Sequence, residues 1–297
     1  MIHFYELANM SASQRNRLMR RAEVAIDELI EYVRPIVRAV RERGDEAVVE
    51  FMERFDHVQL VPEQFRVSRE EIEHAHRLLD KDVYAAIQQA IHNVRTFHER
   101  QLPHEQWFTQ VAPGVMVGEK ITPISSVGLY VPRGKGAFPS VMYMLATPAS
   151  IAGVPRIVVC TPPGPHGEVD PASLVAADLC GVHEIYRLGG AQAIAALAYG
   201  TESITRVRKI TGPGNPYVSA AKRLLYGTLD IGLPAGPSES ILLADETADP
   251  ELVVRDLLIE AEHGPDSSSL LVTASRVLIE AVMALLPQRI AELPEWR

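Results

Sequence analysis

The chain has 297 residues, 47% of them hydrophobic, and a formal charge of -9 from 29 Lys and Arg against 38 Asp and Glu. That length and apolar content can bury a sizeable core, and two domains are the expectation. An acidic chain without a long Lys/Arg block has nothing to offer a phosphate backbone or an anionic bilayer, so nucleic-acid and membrane partners are excluded as leading classes.

The N-terminal stretch has no apolar segment after its basic residues and does not read as a secretory signal. No apolar run approaches the ~20 residues that span a bilayer. Cys160 and Cys180 form neither a CxxC pair nor a disulfide framework. A cytoplasmic protein is expected.

In chain order, residues 1 to about 125 are charge-rich and helical in pattern, with apolar three- and four-residue spacing over 22–43 and 69–100. His74 and His76 lie beside Glu71 and Glu73, a combination that suits a metal site or, more simply, a solvated helix face. From Ser125 the texture changes. Short apolar runs at 127–132, 156–160, 184–188 and 208–211 read as buried strands, and helical patterns follow at 139–151, 171–179, 191–199 and 215–225. A further strand at 240–244, a helix over 250–263, a strand at 270–273 and a helix over 276–285 complete the pattern. The expected fold class is α/β with parallel sheets.

Open parallel sheets bind ligands beyond the carboxyl ends of their strands. Four Gly-containing loops fall there: Gly134-Lys135-Gly136 after Tyr130, Gly189-Gly190-Ala191-Gln192, Gly212-Pro213-Gly214-Asn215, and Gly236-Pro237-Ser238-Glu239. Four such loops point to a nucleotide or phosphate ligand reached by backbone N–H groups. No G-x-G-x-x-G occurs, and the run from Gly128 to Lys135 misses P-loop spacing, with Gly136 where Ser or Thr belongs. Asn215 before Pro216 suits either a ligand contact or a helix N-cap.

The helix over 250–263 carries Glu260 and His263 three apart, hence neighbours on one face in its last turn. Both residue types bind zinc, which needs three or four protein groups; a surface ion pair is the competing reading. Cys160 ends a strand without a readable base nearby, which favours packing over nucleophilic chemistry.

The segments GLYVPRGKGAFPSVMYMLATPASIAGVPRIVVCTPPGP, EIYRLGGAQAIAALAYGTESI, KITGPGNPYVSAAKRLLYG, AGPSES and DLLIEAEHGPDSS resemble the histidinol dehydrogenase family in order and spacing, from about residue 25 onward. The resemblance implies two Rossmann-like three-layer domains with parallel sheets, one inserted in the other, plus an N-terminal helical arm. On this sequence the arm is 1–25, the first domain 26–125 with 239–297, and the second, with the NAD-binding loops, 126–238. It also implies oxidation of L-histidinol to L-histidine through the aldehyde, in histidine biosynthesis, with NAD and zinc as cofactors and a homodimer as the full-length form. Tyr130, Gln192 and Asn215 match NAD-contacting positions, Ser238 a substrate-contacting one, and Glu260 and His263 the first two zinc ligands, which also meet substrate. The family's remaining ligands and its Glu-His base fall beyond Arg297, so no catalytic base is expected within this chain.

Three positions depart from the family pattern. Glu260 stands where Gln is usual, Pro132-Arg133-Gly134 replaces Pro-Gly-Gly, and Asp230-Ile231-Gly232-Leu233-Pro234 replaces a stretch with Gly-Ile-Asp. They suit a paralogue acting on another small alcohol, such as sulfopropanediol. A catalytically silent nucleotide-binding fragment is the reading from a different class.

Overall fold

Charge and apolar spacing determine the helices at the N-terminal end. After α1 (Ala12–Met19) comes α2 (Ile26–Arg43), whose Val33, Ile36, Val37 and Val40 form one buried stripe. Asp27 and Glu28 in its first turn and Arg41 and Arg43 in its last complement the helix dipole. The computed structural model describes residues 3–19, 26–133, 136–233, 238–260 and 267–293. It groups into two compact units, Ile26–Gly236 and a second made of Met1–Ala25 with Pro237–Arg297.

Within Ile26–Gly236, α3 (Asp45–Phe51) runs into a π-helical turn, Met52–Asp56, that stops at His57 in the left-handed region, φ 57°. The stretch 69–100, helical in pattern throughout, forms two helices: α4 (Arg69–Leu78) and α5 (Lys81–Glu99). Asp80 causes the break, because its carboxylate caps the N–H groups of Asp82 and Val83 and starts a new helix. Ser68 and Glu71 form a capping box at the head of α4. The helical texture also fails at β1 (Gln106–Ala112) and β2 (Val115–Lys120), an antiparallel hairpin around Pro113-Gly114 with every strand residue exposed.

The four expected strands form one parallel sheet: β3 (Val127–Tyr130), β4 (Ile157–Cys160), β5 (Glu184–Tyr186) and β6 (Lys209–Thr211). Its order is β5-β4-β3-β6. The connecting helices are α6 (Pro139–Ile151), α7 (Pro171–Leu179), α8 (Gly190–Tyr199) and α9 (Pro216–Leu224). Strand side chains alternate between two cores. Tyr130, Val158, Cys160 and Tyr186 pack with α2, α3, α8 and α9; Leu129, Val159 and Ile185 pack with α4 to α7.

This layering explains why 26–125, which sequence reading joined to 239–297, groups with the sheet of 126–236. The apolar stripes of α2 and α3 complete one helical layer and those of α4 and α5 the other. Backbone bonds from Val67 N–H to the Ile185 carbonyl and from Arg187 N–H to the Phe65 carbonyl cover the β5 edge as well. The result is a three-layer α/β/α unit, inserted between the two segments of the other.

In the second unit, β7 (Glu239–Leu243) and β8 (Ser268–Val272) pair in parallel. Asp249 and Pro250 start α10 (Pro250–Ile259), and Ser275 caps α11 (Arg276–Glu292), which continues past Pro287 beyond the expected end at 285. Val253, Val254, Leu278, Val282 and Leu286 make its core, with Leu242 and Leu271 against them.

Candidate cofactor site

In the β5-β4-β3-β6 order, consecutive strands step one way from β3 and β6 then returns to its other side, so the topological switch point lies between β3 and β6. The carboxyl ends meeting there are Tyr130 and the loop that follows Thr211. Gly212 sits at φ 115°, and a Cβ on it would lie 2.1 Å from the Tyr130 carbonyl oxygen. Only glycine fits that approach.

Tyr130 is buried, and its hydroxyl accepts a hydrogen bond from the Gly190 N–H at 3.1 Å. Burial raises its pKa well above the ordinary phenol value, so it stays neutral. Gly190, at φ 63°, opens α8, and Gln192 follows in the first turn. Gln192 is only 1% exposed, and its Nε2 donates to the Asp56 carboxylate at 3.2 Å. Asn215 caps α9, its Oδ1 accepting from the Val218 N–H at 3.0 Å. Tyr130, Gln192 and Asn215 thus all sit at the carboxyl ends of the sheet, and Asn215 takes the capping role that its position before Pro216 allowed.

Two residues at this end were missed by sequence reading. Asp56 closes the π-helical turn, and burial holds its carboxyl up at about 6 against an ordinary 3.8, opposed by the Gln192 hydrogen bond and by His57. His57 is the one non-glycine residue of positive φ among the described residues, so a strained backbone presents Asp56. Lys222, 7% exposed, lies in α9 and donates to the Gly212 carbonyl. A lysine within the buried run Val218, Ala220, Ala221 of an amphipathic helix was the readable signal for it.

Other candidates resolve as packing or ion pairs. Cys160 is buried, and desolvation pushes its thiol far above the ordinary range, which leaves it inert. His76 bonds Asp178 at 2.9 Å, Glu71 pairs with Arg187 at 2.6 Å, and Glu73 with Arg69 at 3.3 Å. Arg133 faces Glu168 at 3.8 Å. Gly134 and Lys135 lie outside the described residues.

Ser238 and Glu260 belong to the other unit. Ser238 precedes β7, and its carbonyl accepts from the Ser268 N–H at 3.1 Å. Glu260 is the C-cap of α10, and its Oε2 is buried without a hydrogen-bond partner among the described residues. A buried carboxylate oxygen lacking a donor fits a metal ligand. His263, its expected companion, lies outside the described residues, which contain no group of three metal-capable side chains.

A sequence model of the histidinol dehydrogenase family matches residues 19–297. The histidinol dehydrogenase of Synechocystis sp. is 49% identical over all of this chain and 68% of its own length. "Histidinol dehydrogenase homolog 2" of Mesorhizobium japonicum is 50% identical over all of this chain and 67% of its own. The crystal structure of histidinol dehydrogenase from Elizabethkingia anophelis superposes with a TM-score of 0.87 at 36% identity, over 97% of this chain and 66% of that one. The chain therefore spans about two thirds of the length of the relatives it matches. With the same α/β architecture and the family's motifs at its strand ends, this chain belongs to the histidinol dehydrogenase family.

Proposed function

We propose that the protein is an NAD-linked, zinc-dependent alcohol dehydrogenase that oxidises L-histidinol to L-histidine through the aldehyde. The observation that carries the cofactor half is the switch point between β3 and β6, with Tyr130 and Gly212 in backbone contact across it. Tyr130, Gln192 and Asn215 would hold the dinucleotide there. Ser238 would contact the substrate, and Glu260 and His263 would hold the metal, Glu260 through its unpartnered Oε2. When bound, zinc polarises the substrate oxygen and the nicotinamide accepts hydride. The family match further supports a cytoplasmic homodimer acting on a small molecule, and no described helix is long and apolar enough to cross a membrane.

A second reading is a paralogue that oxidises a different small alcohol. Glu260 in place of the family's Gln favours it, because a carboxylate adds negative charge at the metal and weakens it as a Lewis acid. NADH formation by a protein of the relatives' full length, assayed on histidinol and on a panel of small alcohols, separates the two. Turnover of histidinol alone supports the first reading, and turnover of another alcohol without histidinol supports the second. No NADH from any alcohol sinks both.

A further inference from the structure

The buried cation at the switch point has no role in the reading so far. Lys222 has a single described hydrogen-bond acceptor, the carbonyl of Gly212, although an ammonium carries three donors. Desolvation is the sole cause acting on it and draws its pKa from 10.5 to about 8; no carboxylate among the described residues compensates. The helices packed against α9 are α2 and α8. Among the titratable groups of these elements, Tyr32 of α2 lies against Tyr217 of α9, and Arg41 of α2 lies over the Tyr199 ring of α8. The α2 carboxylates Glu31 and Glu42 are taken by Arg34 and Arg38. Tyr130 stands at the end of β3, held neutral by burial.

Burying a charge without a partner is costly, and the cost falls when an opposite charge arrives. Lys222 holds the first residue of the Gly212–Asn215 loop by its carbonyl, and that residue is pressed against β3. The anion suited to such a position is a pyrophosphate at the carboxyl ends of the strands.

We propose that Lys222 is the counter-charge for the pyrophosphate of the bound dinucleotide, while it fixes the Gly212–Asn215 loop through the Gly212 carbonyl. The proposal rests on the NAD reading above. It makes Lys222 a positioning and electrostatic residue, outside the hydride-transfer chemistry. It separates affinity from stability: the residue burdens the free protein and favours the complex.

Calorimetric binding of ADP-ribose and of adenosine to the full-length protein tests it, comparing wild type with Lys222→Met and Lys222→Arg at pH 7 and pH 9. Loss of one charge-assisted contact corresponds to roughly 10- to 100-fold in affinity, so Lys222→Met weakens ADP-ribose by that factor and leaves adenosine within about twofold. Wild-type affinity for ADP-ribose falls between pH 7 and 9 as the ammonium deprotonates; Lys222→Met is flat, and Lys222→Arg holds its affinity at pH 9. Wild type near pH 8 takes up about half a proton on binding ADP-ribose, a readout that needs no variant to fold. Lys222→Met unfolds at or above the wild-type temperature. If wild type binds ADP-ribose while Lys222→Met binds equally well with the same pH profile, or if wild type takes up no proton, the Lys222 proposal fails and the NAD reading stands. If wild type binds neither NAD nor ADP-ribose, the NAD reading fails and this proposal with it.

Discussion

The two units build parallel sheets of different completeness. In Ile26–Gly236 the four-stranded sheet is covered on both faces, by α2, α3, α8 and α9 on one side and α4 to α7 on the other, with β3, β4 and β5 contributing to both cores and β6 to the first alone. In the unit containing Pro237–Arg297, β7 and β8 turn Leu242 and Leu271 onto α10 and α11. Their alternate residues point the other way, with Ile241 63% and Leu243 83% exposed. Parallel sheets are ordinarily buried on both faces. The difference teaches where constraint lies: a side chain in the first sheet is fixed by two cores, one in the second by a single core or by none. The cofactor residues expected from the family fall at the strand ends of the complete sheet, where a misplacement is least tolerated.

The largest effect expected from this contrast is at Gly212. Gly212→Ala forces a Cβ to within 2.1 Å of the Tyr130 carbonyl at φ 115°, and a loss of at least about 3 kcal/mol is expected by denaturant titration. Gly181→Ala, at φ 79° with open space around it, is the control and costs about 1 kcal/mol. Equal losses at the two sites would remove the argument for a tight β3–β6 junction.

Next in size is the pH dependence of Asp56. Its folded pKa of about 6 lies above the ordinary 3.8, so the folded state binds the proton more tightly than the unfolded state. The stability it contributes is complete below about pH 3.8 and is lost as pH rises through about 6. Asp56→Asn removes that loss while keeping an acceptor for Gln192, and at pH 7 it should stabilise by about 1–3 kcal/mol. Unfolding curves at pH 4 and pH 7 check this. A variant less stable than wild type at pH 7 would show that the charged form is favoured in the fold.

The two faces of β7 give the third comparison. Leu242→Ala, which removes a side chain from the α10–α11 core, is expected to cost about 1–3 kcal/mol. Leu243→Thr on the open face is expected to stay within about 0.5 kcal/mol. A large cost at Leu243 would mean that the face is covered in solution. Smallest of all is Arg38→Ala, which breaks an exposed pair with Glu42 and should leave the unfolding midpoint in denaturant unchanged.

The complete sheet was legible because its signals are local. Each strand from β3 to β6 is a short apolar run closed by Gly or Pro, and each following helix opens on Pro or Gly. What failed depends on tertiary or competing local terms. Asp80 stops one helix and starts another inside an unbroken apolar period, and the 106–120 hairpin has a Pro-Gly turn between β-favouring residues that the surrounding charge-rich texture hid. The partnership of α2 to α5 with the 126–236 sheet cannot be read from their own stripes, since a stripe says that a face is buried and not against what. At the site, Tyr130, Gln192 and Asn215 came from family motifs, whereas Asp56 is brought to Gln192 across 136 positions by folding alone. Lys222 was visible only as a charge on an apolar face.

Hydrogen exchange of the full-length protein with and without NAD tests most directly the claim that the dinucleotide sits at the β3–β6 switch point. Protection on adding NAD should concentrate in the segments around 130–133, 189–192 and 211–218 of the inserted unit. Saturating NAD binding with protection confined to other segments, and none at those three, would contradict it.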